Sequence, residues 1–235
     1  MYSLPIALHI PDGFLSNGVS AVLWVVAIVI IAYGLRVANV SLTEDRVPLL
    51  GVLAAFIFAG QMLNFPVAGG TSGHFLGAAL AAVLLGPWIA CIVTAVVIAV
   101  QAIAFADGGI TVLGANIVNM GALGALLAGF LMVAALRVLP KTRGAFLGTV
   151  AVVAWTAVMV GAIATALQLA ISGTVPLGTV LPAMVGVHAL IGIGEAVITV
   201  AAVSAVLASR PDLIAIGDPE RYAAGAPALA GEGAR

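Results

Sequence analysis

Charge is what this 235-residue chain has least of: Asp, Glu, Lys and Arg make up 7% of it, against 63% hydrophobic residues. Soluble domains carry about 25% charged residues, and the mean hydropathy of +1.28 excludes that class. The net charge of −1 gives no basic surface for nucleic acid or anionic lipid. There is one lysine, Lys141, directly after Pro140, and no G-x-x-x-x-G-K-[ST] loop to cradle a phosphate. ATP hydrolysis is excluded with it. One cysteine, Cys91 within an apolar run, excludes an internal disulfide and reads as a small buried hydrophobe. The first seven residues have no positive charge and are too short for a secretory signal. The membrane helices themselves must target the chain.

What is present in abundance is length without charge. A helix needs about 20 apolar residues to cross a bilayer core, and spans are read at 18–40, 47–63, 88–106, 113–138, 145–172 and 177–208. A shorter apolar stretch, 75–85, ends at Gly86-Pro87. The basic residues fall into three groups: Arg36 and Arg46; Arg137, Lys141 and Arg143; Arg210, Arg221 and Arg235. Cytoplasmic loops collect Lys and Arg. A single helix over 75–106 would split these groups between two faces, whereas a hairpin at Gly86-Pro87 puts them all on one. The hairpin is preferred. It predicts an all-α membrane protein of about seven transmembrane helices, N-terminus outside and C-terminus cytoplasmic, with the short hairpin turning inside the protein. Residues 1–208 form one transmembrane domain; 209–235, rich in Ala, Gly and Pro, reads as a flexible cytoplasmic tail. Gly121, Ala125 and Gly129 at four-residue spacing read as close helix packing.

This topology leaves three polar segments outside, 8–17, 64–74 and 106–119. Two of the three histidines lie in them: His9 in Leu8-His9-Ile10-Pro11-Asp12-Gly13, and His74 in Gly69-Gly70-Thr71-Ser72-Gly73-His74. Imidazole is the commonest metal ligand at neutral pH. Either histidine alone reads more readily as a solvated loop residue; sharing one face without charged neighbours, they suggest a metal-capture site. Were His9 the second residue of the working chain, the free amine of Leu8, the amide nitrogen of His9 and its Nδ1 could close two fused chelate rings. His74 would complete a square of nitrogens, which suits Ni(II) or Cu(II).

Other polar residues have two readings each. Asp107, Asn116 and Asn119 can orient the ligands or simply cap helices and bond loops. Asp12 reads as a turn residue beside Gly13, and Thr71 and Ser72 as caps of the next helix. His188 and Glu195, seven apart, share one helix face, with Glu195 near mid-membrane. An intramembrane carboxylate is a functional candidate; a structural or coupling role is favoured for it, while an outer position around the metal stays open for His188.

The motifs also carry a resemblance. Leu8 through Leu15, Asn64 through His74, Asp107-Gly108-Gly109, Gly114 through Gly121 and His188 through Ala196 follow in order the pattern of the cobalt/nickel permease family (CbiM/NikM type). These are substrate-binding components of energy-coupling-factor transporters. The resemblance spans residues 8 to about 208. It implies a non-enzymatic component of the bacterial or archaeal cytoplasmic membrane that takes up Ni(II) or Co(II) as substrate, with no covalent cofactor. It further implies metal ligation by the amine of Leu8, by His9 and by His74. The partners implied are a coupling membrane subunit, a pair of cytoplasmic ATPases and a small accessory membrane subunit, without nucleic acid. The family pattern has Met directly before the first histidine, where this chain has Leu8 behind seven more residues. UUG and CUG codons can initiate in bacteria, so the expectation is a true start at Leu8; a genuine extension, or cleavage after Ala7, are the alternatives.

A rival reading is an intramembrane serine protease with Ser72 as nucleophile and His188 as base. It rests on the four residues Gly70-Thr71-Ser72-Gly73 and leaves His9 and His74 without a role.

Overall fold

Helix boundaries follow punctuation in the sequence. The computed structural model describes residues 9–62, 65–67 and 71–223. Helix α1 (Asn17–Ser41) starts where Ser16 Oγ accepts the Val19 N–H, and α2 (Val47–Gln61) starts with Pro in its first turn, where the missing N–H is no loss. Two three-residue strands, β1 (Phe65–Val67) and β2 (Thr71–Gly73), pair antiparallel with Pro66 opposite Ser72. Helix α3 (Ala78–Leu85) is bounded by two glycines in left-handed φ, Gly77 at +70° and Gly86 at +79°. Pro87 then opens α4 (Pro87–Phe105). Next, α5 (Leu113–Asn116), a π-helical stretch Ile117–Leu126 and α6 (Leu127–Val138) run as one continuous rod. Helices α7 (Arg143–Ile171) and α8 (Leu177–Ser209) pack along each other, and a short α9 (Pro219–Ala223) follows.

Apart from the β1–β2 pair, the described chain is helical. All seven apolar segments read from the sequence are helices, and five helical spans are long and apolar enough to cross a membrane: α1, α4, α5–α6, α7 and α8. Helices α2 and α3 have 15 and 8 residues. Helix α3 is the centre of the bundle. Every one of its residues is buried, against α4, the π stretch, α6, α7 and α8. The outermost faces carry Val22, Val29, Val96, Leu190 and Val197 bare, apolar surface of the kind that lipid covers. This is a multi-pass membrane protein.

The α3–α4 hairpin exists, but its turn lies elsewhere than expected. Gly86 and Pro87 are half-buried and line a 380 Å³ cavity with Arg137 and Lys141, so the turn is at the basic end and not in the interior. The shortness of α3, about 12 Å at 1.5 Å per residue, is made up at its other end, where His74 through Gly77 are buried. Close approach secures the turn: a Cβ on Gly129 would stand 2.6 Å from Pro87 Cβ.

The reading of 209–235 as a flexible tail also needs correction as far as the structure describes it. Ile214, Ile216 and Tyr222 are buried, and the Ala215 N–H donates to Val83 O at 3.0 Å. Arg46 donates to Asp212 O (2.9 Å) and Leu213 O (3.2 Å), and Tyr222 stacks on Phe146. Three apolar side chains spaced among Ala, Gly and Asp suffice to dock the segment; composition averaged them away. Residues 224–235 lie outside the described residues.

Candidate metal centre

The end of the bundle opposite the basic residues is closed by the N-terminal segment. Gly13, in left-handed φ at +83°, bends it, and its backbone is then clamped rather than left in solvent. Asn116 does most of this: its Oδ1 accepts the Ile10 N–H at 2.8 Å and its Nδ2 donates to Ile10 O at 3.1 Å. The Gly109 N–H also donates to Ile10 O, at 2.9 Å. Asp12 accepts the Thr111 N–H at 2.7 Å, the Thr111 hydroxyl and the Ile110 N–H. Those bonds, the Thr111 hydroxyl first, hold the Asp12 carboxyl below the usual range. Asp12 is thus the weld between the segment and the 106–112 loop, a larger part than the turn residue expected. Gly109 has to be glycine there, because a Cβ would stand 2.3 Å from Asp12 N.

The clamped segment brings the two histidines together. The rings of His9 and His74 are 4.6 Å apart, centre to centre, and tilted by 52°, with residue exposures of 3% and 1%. Neither is a solvated loop residue. His74 Nδ1 is 2.9 Å from Phe75 O; its Nε2, and both ring nitrogens of His9, have no hydrogen-bond partner. Asp107 Oδ1 approaches His9 Nδ1 to 3.1 Å, off the line of a full hydrogen bond. Burial keeps His74 neutral, its pKa pushed down to about 3, with His9 and His188 adding to the effect. A neutral imidazole with a free lone pair is the form that binds a metal. Burial works against the charge of Asp107, yet the contact with His9 holds its carboxyl below the usual range. Among the described residues, no three His, Cys, Asp or Glu side chains are grouped to hold an ion alone. Leu8, and the side chain of Ser72, lie outside the described residues.

The remaining candidates divide. Asn116 reaches the site through Ile10. Asn119, in the π stretch, turns away and bonds α7, with Gln168 Nε2 donating to Asn119 Oδ1 at 2.6 Å and Asn119 Nδ2 donating to Gln168 Oε1 and Thr165 Oγ1. His188 places Nδ1 2.8 Å from Met184 O in its own helix. Glu195 accepts the N–H groups of Leu76 and Gly77 at 2.7 and 2.8 Å. The acceptors at the start of α3 therefore come from α8; α3 begins at Ala78, beyond Thr71 and Ser72. Gln61 escaped the sequence reading altogether, although its Nε2 donates to Leu76 O at 2.7 Å. The signal was there: a glutamine at the end of an apolar helix needs a partner when buried.

Long apolar helices with bare outer faces define the class, a multi-pass membrane protein. The chain belongs to the family described as "cobalt uptake substrate-specific transmembrane region", whose model matches residues 9–213. It is 39% identical over 209 residues to a Haloquadratum walsbyi protein named for metal transport, covering 88% of this chain and 93% of that one. It is 36% identical over 228 residues to the fused nickel transport protein NikMN of Rhodobacter capsulatus, covering 88% of this chain and 64% of that longer one. A crystal structure of a truncated transition metal transporter superimposes with a TM-score of 0.74 at 32% identity, over 85% of this chain and 98% of that one.

Proposed function

We propose that this chain is the substrate-specific component of an energy-coupling-factor importer and captures Ni(II) or Co(II) between His9 and His74 at its outer face. The observation that carries this is the 4.6 Å spacing of two buried imidazoles with unpartnered nitrogens. Two imidazoles on adjacent corners of a square, with metal–nitrogen bonds of about 2.0 Å, have ring centres roughly 4.5 Å apart. Opposite corners would need a wider gap. Adjacent corners are also what the chelate requires. The Leu8 amine, the His9 amide nitrogen and His9 Nδ1 take three corners in sequence, and His74 takes the fourth, next to Nδ1. Loading exchanges the Asp107 contact at His9 Nδ1 for the metal and leaves the carboxylate beside a cation. Asn116 orients the peptide that follows His9.

In this reading the histidine end faces outward and the basic end the cytoplasm, following the positive-inside rule, with seven helices counted across the membrane. The chain is a transport component and not an enzyme. A coupling membrane subunit, a pair of ATPases and a small accessory subunit drive release inward. The square of nitrogens favours nickel, while the family description favours cobalt.

Calorimetric titration of Ni(II) and Co(II) into two purified forms tests this, one beginning at Met1 and one with Leu8 replaced by the initiator methionine. Tight binding by the short form alone is the expected result, unchanged by Ser72→Ala. Equal binding by both removes the amine from the site. Binding by neither form refutes metal capture and returns the serine protease to consideration.

A further inference from the structure

We propose that Glu195 is the positioning residue for His74 and fixes its tautomer through a single peptide group; the metal-binding consequence rests on the capture reading above. The peptide joining Phe75 and Leu76 is planar and trans, so its C=O and N–H point in opposite directions. Its N–H donates to Glu195 Oε2 at 2.7 Å. Its C=O stands 2.9 Å from His74 Nδ1. Holding one side of this plane aims the other. A carbonyl oxygen only accepts, so Nδ1 must carry the proton and donate, which leaves the lone pair on Nε2. That Nε2 is buried and without a partner.

The restraint is over-determined at the carboxylate and at the backbone. Glu195 Oε1 takes the next N–H, that of Gly77, at 2.8 Å. Gln61 Nε2 holds Leu76 O at 2.7 Å. Gly77 occupies the left-handed region at φ +70°, and a Cβ there would meet Ile57 and Phe75 at 2.8 Å. No side chain of the loop itself caps α3, so without Glu195 two buried N–H groups would be orphaned. Glu195 and the loop are 119 and 118 residues apart in sequence, so this contact joins the metal centre to the longest helix of the bundle. Histidine ligands commonly donate their second nitrogen to a carbonyl, which sets ring orientation and ligand basicity. Here the carbonyl is itself held by a carboxylate on another helix.

The test reads the tautomer directly, in metal-free full-length protein in detergent, by nitrogen NMR with histidine labelling. His9→Asn, His74→Asn and His188→Asn assign the signals. Wild type is expected to show His74 protonated at Nδ1 and bare at Nε2. In Glu195→Gln the side chain keeps one acceptor and turns a donor onto the second N–H. That variant is expected to show mixed His74 tautomers and nickel affinity about 10- to 100-fold weaker. A wild-type His74 protonated at Nε2 would overturn the proposal without any variant having to fold. So would an unchanged tautomer in Glu195→Gln. Wild type that shows the Nδ1–H tautomer, lost in Glu195→Gln, yet binds no nickel or cobalt would confirm the positioning and refute metal capture instead.

Discussion

The two ends of this bundle use polar groups in opposite ways. At the basic end, charge is exposed and cheaply matched: Arg210 and Asp212 pair at 2.8 Å with side chains more than half exposed. At the histidine end, polar side chains are spent on backbone, with Asn116 and Glu195 buried and Asp12 exposed. Asp12, Asn116 and Glu195 each hold N–H groups from segments distant in sequence, and among the polar atoms left without a partner are both ring nitrogens of His9, Nε2 of His74 and Oδ2 of Asp107. Exposed ion pairs contribute little, whereas a buried unpaired donor or acceptor is costly. In the function proposed above, the less charged end carries the chemistry.

That contrast can be broken experimentally. The largest effect is expected from His9→Ala or His74→Ala, each weakening nickel binding more than about 100-fold by calorimetry, since each removes a ligand. Asn116→Ala or Asp12→Ala should weaken it about 10-fold, by releasing the N-terminal segment rather than a ligand. Acid should destabilise the metal-free protein through His74. Its folded pKa of about 3 lies below the ordinary 6.5, so below pH 6.5 the unfolded chain binds a proton that the folded chain refuses. Stability then falls toward pH 3 by up to about 1.4 kcal/mol per pH unit, and thermal unfolding of His74→Asn should show a shallower slope. Smallest of all, Asp212→Ala should leave nickel affinity and the unfolding temperature unchanged; a loss of binding there would make the two ends equivalent and undo the comparison.

Much of the frame was legible because hydrophobic length and basic-residue placement are local signals. The hairpin at Gly86-Pro87 followed from counting Arg and Lys alone. Pairing His9 with His74 was legible too, since so few polar residues compete. The clamps were not. Asp12 next to Gly13 looks like any turn, and only the fold brings Thr111 to it; Asn116 and Asn119 look alike, yet one faces Ile10 and the other α7. The docking of residues 210–223 was hidden because three buried side chains in a chain of Ala and Gly leave no compositional trace.

X-ray absorption at the nickel edge of the loaded protein bears most directly on the paired-histidine centre. A planar shell of nitrogens with scattering from two imidazoles is the expected spectrum, falling to one imidazole in His74→Ala. A six-coordinate oxygen shell without imidazole scattering, unchanged by that substitution, would contradict it.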